Sequence, residues 1–135
     1  MILIYDRASA AAVSARTLDP PMRVALEAEL ALLTVGEHDL TDYTDILLVQ
    51  VGDTEADIGR EAGFSPLVDP ISGARFDQPT FEAGWDLLTL RGGVFRFVFT
   101  FGSTHAGIML VPDADGILPE LLTLCRHYAA KQRIN

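Results

Sequence analysis

VFRFVFTFGSTHAGIMLV, residues 94–111, is the stretch whose reading decides the fold. Phe95, Phe97, Phe99 and Phe101 alternate with Val94, Arg96, Val98 and Thr100. Successive side chains of a strand point to opposite faces, so an apolar period of two in aromatic and β-branched residues predicts a strand. Gly102-Ser103-Thr104-His105-Ala106-Gly107 breaks the alternation, and Ile108-Met109-Leu110-Val111 resumes it. The segment therefore predicts an antiparallel hairpin. Its phenylalanines make a broad aromatic face that something must cover.

Downstream, Pro112-Asp113-Ala114-Asp115-Gly116 reads as a turn, followed by a helix from about Leu118 to Lys131. Pro119 and Glu120 suit its first turn, and Leu118, Leu121, Leu122, Cys125 and Tyr128 share its apolar side. Upstream, Phe81, Trp85 and Leu88 stand at i, i+4, i+7 and predict an amphipathic helix over residues 81–91, stopped by Gly92-Gly93. Trp85 and Phe81 read as core on that stripe. Residues 67–76 read as a tight hairpin, with Asp69-Pro70 opening the turn and Gly73 in the left-handed conformation.

Thr54 stands three residues before Asp57, a capping-box spacing that starts a short helix ending near Gly63. Ile46-Leu47-Leu48-Val49-Gln50-Val51 reads as a buried strand. Asp19-Pro20-Pro21 opens a helix that runs to about Thr34–Gly36, with Met22, Leu26, Leu30 and Leu33 as its stripe and Glu27 and Glu29 off it. Residues 1–5 read as a short strand. Residues 8–16 are alanine-rich without a clear face, either a loose helix or a mobile linker, so residues 1–18 are expected to attach loosely.

The expectation is one α+β domain over residues 1–135. Its antiparallel sheet would have about four to five strands centred on the main hairpin 94–111, with amphipathic helices packed on one face. The 49% hydrophobic content is that of a globular chain long enough to bury a core without metal or disulfide. The apolar run at the start is too short for a signal peptide, and no run is long enough for a membrane span. With Cys125 as the single cysteine, the reading is a soluble cytoplasmic protein. A net charge of −9 disfavours nucleic acid as a partner.

Candidate chemistry is thin. His105 beside Ser103 and Thr104 could form a hydroxyl–imidazole pair, but no nucleophile elbow surrounds it, and a polar turn explains it as well. Cys125 and His127 fall on different faces of their helix, and Cys125 sits among leucines as a small hydrophobe. Asp53, Glu55, Asp57 and Glu61, with Asp42 and Asp45, offer oxygens to a hard cation, yet lack the EF-hand spacing. Acidic residues are in any case expected at a helix start. His38, His105 and His127 are scattered, so no metal site is read, and no cofactor is implied. Arg96 is the odd residue of the aromatic strand. Either its face is open to water, or it meets a carboxylate where another chain packs, which would make Val94, Arg96 and Val98 an association surface.

The expected function is a non-catalytic binding or regulatory module acting through a protein–protein surface. That surface would be the outer sheet face at Val94, Arg96 and Val98, with His105 at the hairpin tip, or the acidic edge at Asp53 and Asp57. Expected partners are a basic protein or a second copy bound through the sheet, with neither nucleic acid nor membrane. The alternative is a small hydrolase-like enzyme using a carboxylate or His105 in a cleft beside the main hairpin.

Overall fold

The computed structural model describes residues 2–4, 7–14, 18–35, 44–62, 65–68, 73–75, 88–101 and 105–134. In chain order these form β1 (Ile2–Ile4), α1 (Arg7–Ser14), α2 (Pro20–Val35), β2 (Thr44–Leu48), α3 (Glu55–Ala62), β3 (Thr89–Arg91), β4 (Val94–Phe101), β5 (His105–Pro112) and α4 (Pro119–Ile134). The strands make one five-stranded sheet in the order β1-β2-β5-β4-β3. The architecture is α+β, and the sheet is mostly antiparallel. One pair, β2 with β5, runs parallel.

The hairpin forms as its period of two predicts: Phe95 pairs with Val111, Phe97 with Met109 and Val98 with Ile108. Residues directly opposite one another share a face of the sheet. One row of such residues runs Ile2, Leu48, Leu110, Arg96, Thr89. The next row on the opposite face runs Leu3, Leu47, Met109, Phe97.

Helices cover both of these faces, a correction to the expected single layer. On the aromatic face, Phe95, Phe97, Met109 and Val111 pack with Leu121, Cys125 and Tyr128 of α4 and with Ile58 of α3. On the other, Ile4, Ile46, Leu48, Ile108 and Leu110 pack with Val13 of α1 and with Leu18, Met22 and Leu26 at and within α2. The parallel β2–β5 pair goes with this arrangement, because parallel neighbours require a crossover that carries the chain across a face of the sheet.

The expected helix over residues 81–91 is corrected at its end. Residues 81–87 lie outside the described residues, but Thr89–Arg91 is strand β3, paired with Val94–Arg96. Gly92 and Gly93 have φ of 61° and 80°. Positive φ at both central residues gives the hairpin turn whose twist matches that of the flanking strands. The glycine pair therefore reverses the chain between two strands and does not stop a helix. The expected hairpin at 67–76 is represented by an antiparallel bridge between Val68 and Arg75, with Gly73 at φ 74°. Its tip at 69–72 lies outside the described residues.

α3 starts as the capping box predicts. The Asp57 N–H donates to Thr54 Oγ1 at 3.1 Å, and the Thr54 N–H donates to Asp57 Oδ2 at 3.0 Å. Among the described residues, no helix is long and apolar enough to cross a membrane.

Candidate functional site

The row Ile2, Leu48, Leu110, Arg96, Thr89 changes character along its length. Over β1, β2 and β5 it is aliphatic and lies under α1 and α2. Over β4 and β3 it turns polar, and there α2 leaves the sheet partly uncovered. The result is an open groove of about 550 Å³ between α2 and the β3–β4 hairpin. Val94 and Leu110 form its floor, Pro21, Val24, Ala25 and Ala28 one wall, and Thr89, Arg91 and Gly92 the other. Val24 is 67% exposed on the α2 rim, one of the few large apolar side chains left in water among the described residues.

Glu29 and Arg96 meet in this groove. Arg96 Nε donates to Glu29 Oε1 and Nη2 donates to Oε2 at 3.4 Å, the two-pronged arrangement that a guanidinium fork makes with a carboxylate. Glu29 is 4% exposed, the only buried charged residue among those described. Arg96 keeps part of its side chain in water, and its carboxylate comes from α2 of the same molecule. Val94 is buried, and Val98 is half-buried against the α1–α2 cluster. The sheet face carrying them is thus partly covered by α1 and α2 of the same molecule.

Glu29 was missed as a site residue, although a signal was present. Met22, Leu26 and Glu29 stand at i, i+4, i+7, which places Glu29 on the edge of the buried stripe. A lone carboxylate there and a lone arginine in an apolar strand call for one another, since a buried charge needs a partner.

Arg91, on the same sheet face as Val94 through their direct pairing, is the second cation of the groove. It makes no ion pair among the described residues.

The acidic edge is engaged internally. Asp53 Oδ2 accepts from the Gln50 N–H at 2.7 Å. Asp57 is held down to about 2 by the Thr54 backbone N–H, then by the Thr54 hydroxyl and by Arg60. Glu55 lies below the usual carboxylate range because Arg75 and then Ser65 donate to it. Arg75 also reaches Glu120 at 2.7 Å, tying α3 to the first turn of α4, and both carboxylates raise its own pKa further. No group of three or more metal-ligating side chains converges among the described residues.

His105 begins β5 opposite Phe101, so it belongs to the ladder and not to the loop. Its side chain, Ser103 and Thr104 lie outside the described residues. Cys125 is buried, and that burial, with the charge of Asp113 second, pushes its thiol up and keeps it protonated. His127 is exposed and meets Tyr128 edge to face at 5.1 Å.

Comparison with protein-family models, with curated proteins and with solved structures finds no match to this chain.

Proposed function

We propose that the chain is a non-catalytic binding module whose working surface is the groove between α2 and the β3–β4 hairpin, with its rim. The observation that carries this reading is the pairing of an open, mainly apolar groove with a neutralised carboxylate. Val24 and Ala25 offer apolar area to a partner above a buried floor of Val94 and Leu110, and an exposed apolar patch beside polar groups is the ordinary makeup of a recognition surface. An enzyme would need a free acid or base in the same place. Both Glu29 oxygens are engaged by guanidinium N–H groups, so a substrate proton would have to displace them. The carboxylates of Asp53, Glu55 and Asp57 are likewise engaged with their own chain, which leaves the acidic edge less able to grip a basic partner.

Val24 supplies the test, because a residue so exposed can change without disturbing the core. Affinity capture from the native host should recover a protein with the wild-type chain, and Val24→Asp should reduce its recovery about tenfold or more, the scale of a contact worth over 1 kcal/mol. Asp53→Asn should leave recovery unchanged. A partner held equally by wild type and Val24→Asp would place the binding surface elsewhere and sink this reading.

A further inference from the structure

Charge in the groove runs against charge in the whole chain. The protein carries −9, yet among the described residues lining the groove Arg91 and Arg96 stand against the single carboxylate of Glu29. Arg96 is already matched by Glu29, whereas Arg91 makes no ion pair among the described residues. The ladder sets Arg91 opposite Val94 and Thr89 opposite Arg96, so the two arginines are diagonal neighbours on one face of the hairpin. Diagonal neighbours lie within reach of long side chains, and like charges in that position repel unless an anion sits between or beside them. The local sign decides what binds, because interactions between exposed charges are largely screened beyond about 8 Å in physiological salt.

We propose that the groove is a ligand site for a small organic acid, an apolar body carrying one carboxylate. The carboxylate pairs with the Arg91 guanidinium, whose fork of N–H donors matches two carboxylate oxygens. The apolar body lies along Val24, Ala25 and Ala28 over the floor of Val94 and Leu110. The Glu29–Arg96 pair stays closed and bounds the polar end, so a second anion is directed to Arg91. Size admits a small molecule within the groove, beneath whatever meets its rim. A groove of about 550 Å³ falls within the roughly 300–1,000 Å³ of small-molecule sites, which are apolar with a few placed polar groups. This site goes beyond the binding-module reading and stands whether or not a protein docks on the rim.

Octanoate is the probe, with octan-1-ol as its neutral counterpart. Calorimetric titration should show one octanoate per chain, and amide NMR shifts should concentrate at Ala25, Ala28, Thr89 and Gly92. Octan-1-ol should bind at least about tenfold more weakly, and Arg91→Gln should cut octanoate affinity about tenfold while leaving octan-1-ol affinity and melting temperature unchanged, as expected for loss of a hydrogen-bonded charge pair. Ala28→Phe, which fills the groove from the helix side, should remove binding of both. Equal affinity for the acid and the alcohol, shifts clustered away from the groove, no saturation in the millimolar range, or indifference to Arg91→Gln would each overturn the proposal. Protein capture and octanoate titration are separate readouts, so loss of one does not entail loss of the other.

Discussion

The two faces of the sheet are built differently. On the α4 face, Phe95, Met109 and Val111 are sealed by Leu121, Cys125 and Tyr128, and the side chains reach full burial. On the α2 face, burial is complete over Ile4, Ile46 and Leu48 but gives way at Arg96, where the covering helix presents a glutamate instead of a leucine and the groove opens beside it. One face is closely packed over β2, β5 and β4, with Leu3 and Leu90 half-buried at its edges. The other packs closely beneath α1 and α2 and opens into a groove beside Arg96. Dense packing and an open apolar groove cannot occupy the same area, so the contrast between the faces follows from close packing itself.

The sharpest test of this contrast is to empty one side. Phe95→Ala on the sealed face should cost about 3–5 kcal/mol, because the surrounding side chains cannot collapse into the space. Urea denaturation would measure it. A loss below about 1 kcal/mol would mean that the sealed face is not close-packed.

Next in size is the ion pair. Arg96→Met strands Glu29 in a buried position and should cost about 2 kcal/mol, below the range for a fully buried pair because the arginine side chain is 36% exposed. The double replacement Glu29→Met with Arg96→Met should return to within about 1 kcal/mol of wild type, since apolar side chains of similar volume often replace such pairs at little cost. If the single and double variants were equally unstable, the α2 face would depend on this pair for more than charge neutralisation.

The smallest effect belongs to the capping box on the sealed side. Asp57 titrates at about 2 in the folded protein against an ordinary 3.8. The unfolded chain therefore binds more protons between those values, and stability rises with pH there. The contribution is fully present above about 3.8 and is lost as pH falls through about 2. Asp57→Asn should flatten that part of the stability–pH curve, measured by thermal melts in acid. An unchanged slope would show that Asp57 is not held as the Thr54 and Arg60 hydrogen bonds require.

What could be read ahead from the residues was whatever local periodicity or capping chemistry fixes. The β4–β5 hairpin, the α2 start at Asp19-Pro20, the Thr54–Asp57 box and the apolar stripe of α4 all have signals within a few residues, and all form. β3 escaped because three residues carry no measurable period, and its Gly92-Gly93 turn also looks like a helix stop. The covering of both faces escaped because helix stripes say that a helix is buried on one side but not against which side of the sheet. The groove was half legible: Arg96 stood out in its strand, whereas its partner lies far away in sequence on α2, and only tertiary packing brings them together.

The parallel seam between β2 and β5 has a consequence for assembly. Thr44 lies beside Ala106, so joining these strands closes nearly half the chain into a loop, whereas β3, β4 and β5 follow one another through short turns. Loop closure costs more entropy as the loop lengthens, so the three-stranded meander can close before the seam does. The meander already carries Arg91, Arg96, Val94 and Leu110, and α2 arrives with the N-terminal half of the molecule. The groove is thus built between two pieces of chain far apart in sequence, α2 and the β3–β4–β5 meander.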